Sequence, residues 1–240
     1  MTLVEPDYDP TTDGPLRKPG VSAVRPRDAA TLIVVRRDGP APRVLMGRRS
    51  RGHDFMPGKW VFPGGRVDRA DARAPAATEL QAAVAAKLAL TVPSRRPGLG
   101  RALALAAVRE TFEEVGLLLA RPGATRPGAG PWRPFLALGA LPDLAALRFV
   151  ARAITPPYRP KRFDARFFMA DAEVLVSLER APDCGELDEI AWVDLPEALA
   201  LDLPNITRFV LGDIAERLDD PERPIPFMRF ERGARRLDHL

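Results

Sequence analysis

A single cysteine, Cys184, stands in 240 residues, so no internal disulfide can form, and a reducing cytoplasm is the expected setting. No motif histidine accompanies it, which makes it structural filler rather than a nucleophile. No run of about 18 apolar residues occurs, so no membrane-spanning helix is expected. The opening Met-Thr-Leu-Val-Glu-Pro-Asp-Tyr-Asp-Pro has neither a basic n-region nor an apolar h-region, so a signal peptide is not expected. The closing Asp-His-Leu is not the Ser-Lys-Leu peroxisomal address. An excess of one charge is also lacking. The net charge of +4 suits an anionic phosphate ligand but falls short of a polybasic tail. The arginines are densest at Arg48-Arg49-Ser50-Arg51 and between Arg232 and Arg236, with no aromatic stacking platform among them. Neither a nucleic-acid nor a membrane partner is expected.

No internal repeat is evident, and the length suits one domain with embellishments. Residues 1–27, rich in Pro, Asp, Thr and Gly without period, read as an irregular arm. Strands are expected at Ala29–Arg36 and Arg43–Arg48, joined by the turn Asp38-Gly-Pro-Ala-Pro. Trp60–Pro63 leads into a glycine loop. The stretch Ala76–Leu90 is alanine-rich and reads as helical, and Pro93-Ser-Arg-Arg-Pro-Gly reads as a turn. A helix over Ala102–Ala120 ends in the Pro/Gly-rich loop Arg121–Pro134. Further on, the patterning predicts a helix within Pro142–Ile154, strands at Ala165–Ala170, Val174–Leu178 and Ile190–Val193, and a helix start at Leu195 with proline in its first turn. Ile206, Phe209, Val210, Ile214 and Leu218 recur at helical spacing and make Asn205–Leu218 a packing helix. Residues 221–240 read as a C-terminal extension.

The richest segment is Val108 to Leu117, Val-Arg-Glu-Thr-Phe-Glu-Glu-Val-Gly-Leu. On a helix, Glu110, Glu113 and Glu114 project from one face. Leu105, Val108, Phe112, Val115 and Leu119 fall on the opposite side. Such carboxylate spacing costs a few tenths of a kcal/mol per pair in an isolated helix. A hard cation such as Mg²⁺ or Mn²⁺ would remove that cost. A solvated acidic helix face is the other reading of the same three residues.

Upstream stands Gly58-Lys59-Trp60-Val61-Phe62-Pro63-Gly64-Gly65-Arg66-Val67-Asp68. Taken with Arg109-Glu110-x-x-Glu113-Glu114-x-Gly116-Leu117, it resembles the signature of the Nudix hydrolases. That family pattern runs Gly, five residues, Glu, seven residues, then Arg-Glu-aliphatic-x-Glu-Glu-x-Gly-aliphatic. Two departures matter here. Gly65 and Arg109 stand 44 positions apart instead of 14, so about 30 residues, roughly Arg73 to Leu103, are inserted, a length that closure entropy tolerates. Asp71 stands where the family has Glu. A split box of this kind resembles the coenzyme A diphosphatase branch. So do Leu45, Arg49, Ser50 and Gly58 ahead of Phe62-Pro63-Gly64-Gly65, with Asp54 in place of that branch's arginine.

The resemblance implies an α/β fold, the Nudix α/β/α sandwich with a mixed sheet, occupying residues 28–220 and carrying a helical insertion at 73–103. It implies Mg²⁺ or Mn²⁺ held by Glu110, Glu113 and Glu114 beside the Gly65 backbone, with Arg109 orienting Glu110. The general base has three candidates: Glu110, Glu186 and Glu189. Arg48, Arg49, Arg51 and Lys59 are the candidate phosphate-binding cations, and Gly64 and Gly65 the backbone that approaches the ligand. Asp68 and Asp71 are weaker site candidates, and His53 reads as structural. Tyr158 is either a cleft residue or part of a rigid connector. The implied substrate is a nucleoside diphosphate derivative, with coenzyme A or acyl-coenzyme A first and ADP-ribose or a dinucleotide second. A non-catalytic metabolite sensor is the third reading. A homodimer is the implied assembly.

Overall fold

The computed structural model describes residues 16–18, 20–52, 56–125, 128, 130–178, 187–231 and 234–240. Strand β1 (Arg27–Arg36) is buried over nearly all of Ala29 to Val35, and such a continuous apolar run suits a strand covered on both faces. β2 (Arg43–Arg49) returns antiparallel to it, and β3 (Trp60–Val61) adds to β2. β4 (Gly64–Arg66) folds back on β1 with Gly65 opposite Ala30. The chain then leaves the sheet for helices α1 (Ala82–Ala89) and α2 (Leu99–Val115). β5 (Ala120–Pro122) and β6 (Ala140–Pro142) pair in a small second sheet, with α3 (Trp132–Ala137) between them in sequence.

β7 (Arg148–Ile154) and β8 (Phe163–Asp171) form an antiparallel pair that re-enters the main sheet, β8 lying parallel to β1. β9 (Leu187–Asp194) pairs with β2. The chain finishes through α4 (Leu195–Ala198), α5 (Asn205–Asp219), β10 (Pro226–Glu231) and β11 (Ala234–His239). The main sheet runs β11-β10-β7-β8-β1-β2-β3, with β4 on β1 and β9 on β2. One core packs α2 and its neighbours against one face, around Leu32, Leu103 and Phe168. The other packs α5 against the opposite face, around Ile33, Val210 and Ile214. This is the expected α/β/α layering with a mixed sheet. Among the described residues no helix is long and apolar enough to cross a membrane.

Several local expectations need correction. The helix expected within Pro142–Ile154 is one 3-10 turn at Leu144–Ala146 followed by β7. Phe149, Val150 and Ala151 are buried in sequence because a bulge between Phe149 and Ala151 breaks the strict alternation, and an irregular apolar run of this kind mimics a helix. Val174–Leu178 forms no strand. A 3-10 turn ends at Val174, and Val174, Val176 and Leu178 are exposed. Residues 226–239 extend the main sheet by two strands instead of trailing from it. α2 also differs from the expected single buried stripe, since every residue from Ala102 to Arg109 is buried.

α2 stops at Val115 because Gly116 adopts φ +73° and donates its N–H to the Phe112 carbonyl, the left-handed helix end that glycine adopts without penalty. This removes Leu119 from the helical stripe. Gly116→Ala is expected to cost about 1–2 kcal/mol, a fall in Tm of roughly 2–8 °C at this chain length. Gly98→Ala, at an ordinary αR position with nothing near its absent Cβ, should leave Tm unchanged or raise it. Calorimetry on the two variants checks the contrast, and equal shifts would remove the argument.

Candidate active site

One wall of an open cleft of about 2260 Å³ is made by α2 and β4. The Gly64 N–H donates to Glu114 Oε2 at 2.8 Å, which holds this carboxylate against the glycine loop with only 3% of the residue exposed. Glu110 lies against Gly65, where a Cβ would sit 2.4 Å from the Glu110 carboxyl carbon. Only glycine permits that approach. At Gly64 the obstacle is the sheet, since a Cβ would sit 2.5 Å from the Ala30 carbonyl oxygen. Glu113 is the most open of the three.

Arg109 organises these carboxylates from within. It is buried, and its guanidinium donates to both oxygens of Asp71, from Nε at 2.8 Å and Nη2 at 3.0 Å. Nη2 also reaches the Arg66 carbonyl at 2.9 Å. Nη1 lies 2.8 Å from Glu110 Oε1 and 2.7 Å from Glu113 Oε2. Burial alone would depress the guanidinium pKa. The hydrogen bonds to Asp71 and the charges of Glu110, Asp71 and Glu113 more than reverse this, so it lies above the ordinary arginine value and Arg109 stays charged. Asp71 is fully buried and also accepts from Trp132 Nε1 at 2.8 Å and the Asp68 N–H at 2.7 Å. Four donors and a full positive charge satisfy this buried carboxylate.

The structure therefore brings Arg109, Glu110, Glu113, Glu114, Gly64 and Gly65 together, and Arg49 lines the same cleft. Asp68 lines it too, but Arg48, Arg51, Lys59 and Glu189 do not. Glu189 on β9 pairs across the sheet with Arg48 at 3.1 Å, and neither lines the cleft. Lys59 pairs with Asp202, and Arg51 is exposed in the turn beyond β2. Tyr158 packs edge-on against Phe230. Glu186, Cys184, His53 and Asp54 lie outside the described residues. Asp71 and Trp132 act beyond what the sequence indicates. Asp71 had a signal, its place six residues after Gly65, whereas Trp132 had none, being 61 residues from its partner.

Among the described residues no group of three acidic, imidazole or thiol side chains is arranged to hold a metal ion. Arg109 Nη1 bridges Glu110 and Glu113 instead. The donor set itself, three carboxylates spaced i, i+3 and i+4 beside the Gly65 backbone at a cleft wall, has the all-oxygen chemistry of a Mg²⁺ or Mn²⁺ site.

No family model matches the chain. Individual proteins do. The solved structure of a Nudix hydrolase from Alicyclobacillus acidocaldarius is 31% identical, covering 78% of this chain and 90% of that one at a TM-score of 0.57. An acyl-coenzyme A diphosphatase of Gallus gallus is 30% identical, over 72% of this chain and 62% of its own length. A nudix hydrolase of Caenorhabditis elegans is 26% identical over 83% of this chain and 66% of its own. The chain thus spans just under two thirds of these curated relatives.

The Asp71 clamp makes a stability prediction. Asp71→Ala leaves the Arg109 charge buried without its main partner and is expected to destabilise the fold by about 3–5 kcal/mol. Trp132→Phe removes one donor of four and should cost nearer 1 kcal/mol. Urea denaturation separates the two, and an Asp71→Ala loss below that of Trp132→Phe would show that the clamp does not hold the site.

Proposed function

This chain belongs to the Nudix hydrolase family, and from that premise we propose that it is a divalent-metal-dependent diphosphatase acting on coenzyme A or acyl-coenzyme A. The observation that carries this reading is the convergence of Glu110, Glu113 and Glu114 with the Gly64–Gly65 backbone at the wall of one cleft, tied through Arg109 to Asp71. The relative from Gallus gallus, itself named an acyl-coenzyme A diphosphatase, supports the choice of substrate. The single cysteine supports a cytoplasmic setting, and a homodimer is part of the same reading.

The reaction adds water across the P–O–P bond of the diphosphate. Water's oxygen forms the new P–O bond, the bridging oxygen leaves with its electron pair, and the products are 3′,5′-ADP and 4′-phosphopantetheine or its acyl form. When bound, Mg²⁺ or Mn²⁺ supplies neutralisation of the phosphate oxygens and acidification of water. Glu110, Glu113 and Glu114, with the Gly65 carbonyl, are the residues to hold it. Arg109 hands Glu110 and Glu113 to that role while its two bonds to Asp71 keep the guanidinium in place. The Gly64 N–H fixes Glu114. Of the two candidate bases within the described residues, Glu110 lines the cleft and Glu189 is engaged with Arg48 outside it, which favours Glu110 over Glu189 for taking the proton from water.

The test is mass spectrometry of products after incubation with Mg²⁺ or Mn²⁺ and a panel of coenzyme A, acyl-coenzyme A, ADP-ribose, NADH and diadenosine polyphosphates. Release of 3′,5′-ADP from coenzyme A that stops on chelation is the expected result. Glu114→Gln keeps an acceptor for the Gly64 N–H but loses the charge, so kcat should fall by about 10²-fold or more with Tm little changed. Turnover of ADP-ribose alone would move the substrate. A folded protein that binds a panel member and turns over none would overturn the catalytic reading.

A further inference from the structure

Cations outnumber carboxylates along the cleft, and their partners divide them into two groups. Arg166 is almost wholly buried, yet it meets Asp28 Oδ1 at 3.2 Å and Asp164 Oδ1 at 3.1 Å. Arg152 forms a two-pronged pair with the Asp164 carboxylate at 2.9 and 2.8 Å. Arg96 pairs with Asp28. These charges are compensated within the protein.

Arg162 is different. It is half-buried at the end of the β7–β8 loop, and its guanidinium is held by two neutral acceptors, the Thr155 carbonyl at 2.9 Å and the Val24 carbonyl at 2.8 Å. No carboxylate among the described residues pairs with it. Desolvation accordingly lowers its pKa with nothing opposing, so the pocket disfavours the bare cation and an anion would relieve it. Arg25 directly follows Val24, and the Arg27 N–H donates to the Arg162 carbonyl at 3.0 Å. Both arginines are exposed, both line the cleft, and neither has a carboxylate partner among the described residues. The backbones that carry Arg25, Arg27 and Arg162 thus lie side by side where β1 and β8 begin, and Arg162 is fixed in orientation by backbone carbonyls before any ligand arrives.

The sheet register locates this cluster. Gly65, beside Glu110, stands opposite Ala30 on β1, and Arg27 stands opposite Phe163 on β8. Arg162 is therefore two strands across from Gly65 and about four residues along. This is on the order of 15 Å between backbones, a span on the scale of a nucleoside that carries phosphate groups at both ends.

We propose that Arg162, with Arg25 and Arg27, forms a second anion subsite that takes a phosphomonoester of the substrate remote from the diphosphate that is cut. The subsite rests on the diphosphatase reading given above, where the matching group is the 3′-phosphate of coenzyme A. It moves that contact away from Arg48 and Lys59, whose carboxylate partners Glu189 and Asp202 already engage them, and away from Arg51 beyond β2. A planar guanidinium held by two of its nitrogens presents its remaining N–H groups in a set direction, which suits phosphate better than a freely rotating cation.

The experiment compares kcat/KM for coenzyme A and 3′-dephospho-coenzyme A in the full chain, the Arg162→Gln variant and an Arg25→Gln/Arg27→Gln double variant. The double variant leaves Arg162 and its tethers intact, so it answers for any fold defect in the first. The expected result is that each variant lowers the coenzyme A value about tenfold or more, the size of one lost charge-assisted hydrogen bond, and leaves the dephospho value within about twofold. Equal losses for both substrates, or none, would overturn the subsite. A second arm uses calorimetric titration with adenosine 3′,5′-bisphosphate and with 5′-AMP. Preference for the bisphosphate that Arg162→Gln abolishes, in a protein that turns over no coenzyme A, would uphold the subsite and sink the substrate assignment. Turnover of coenzyme A with no preference in either arm would do the reverse.

Discussion

The ion pair between Arg109 and Asp71 is the constraint on which the site depends. Both side chains are out of water, and each charge alone would cost several kcal/mol to bury. The pair is tolerable because nothing is left unsatisfied: Asp71 receives Trp132, the Asp68 N–H and two guanidinium nitrogens, while Arg109 also reaches the Arg66 carbonyl. One point therefore ties together the strand-to-loop exit after β4, helix α2 and helix α3. Glu110 and Glu113 share the remaining guanidinium nitrogen, so their positions follow from how Asp71 seats Arg109. The loop that carries Asp71 comes close enough to Arg109 for this short side chain to make both bonds.

That clamp would be of little use if the residues between its two halves behaved as a loose loop. They are held at several points. Arg101 binds Glu79 twice and the Ala74 carbonyl once. Thr78 donates to Asp143. Arg166 reaches across from β8 to the Thr91 carbonyl at 2.7 Å, and Arg96 reaches Asp28 on β1. Leu88 is buried in the main core against α2, in van der Waals reach of where Gly100 would carry a side chain. Closure entropy grows only logarithmically with loop length, so these contacts suffice to keep the two halves of the box in register. They also make the insertion part of the cleft wall, since Thr91, Val92 and Arg96 line it.

The layering and the acidic face of α2 were legible because each rests on local pattern. β1 and β2 announce themselves through β-branched and aliphatic runs and α5 through helical spacing, whereas the end of α2 at Gly116 falls inside the helix expected to run to Ala120. What escaped rests on contacts far apart in sequence. β7 reads as a helix because its bulge sets three buried residues in a row. β10 and β11 carry Arg229, Arg235 and Arg236 among their apolar residues, and an edge hairpin with so much charge has no strong period of its own. It becomes strand because β10 pairs parallel to β7. The site divides in the same way. Gly64, Gly65 and the three glutamates follow from a motif, whereas the separation of Arg48, Lys59 and Glu189 from the cleft depends on β9 pairing with β2 and on where Asp202 falls.

The cleft shows how one residue type takes three roles through its partners alone. Arg109 sits among carboxylates that raise its pKa despite burial, and its charge serves to orient them. Arg166 is equally buried, but desolvation wins over Asp164 and Asp28 and lowers its pKa, the mark of a cation kept for the structure it joins. Arg162 has carbonyls for neighbours and, among the described residues, no compensating carboxylate. At the end of the cleft where α2 supplies anions, the single Arg109 guanidinium faces Asp71, Glu110 and Glu113. Where β1 and β8 begin, Asp28 and Asp164 compensate Arg96, Arg152 and Arg166 and leave Arg162 without a carboxylate among the described residues. A ligand that carries negative charge at both ends, as a diphosphate with a distant phosphomonoester does, meets an ordered gradient across this cleft: carboxylates that require a metal at one end and arginines that require an anion at the other. Such a gradient fixes the direction in which the substrate lies, because reversing it would set the phosphomonoester against Glu110, Glu113 and Glu114.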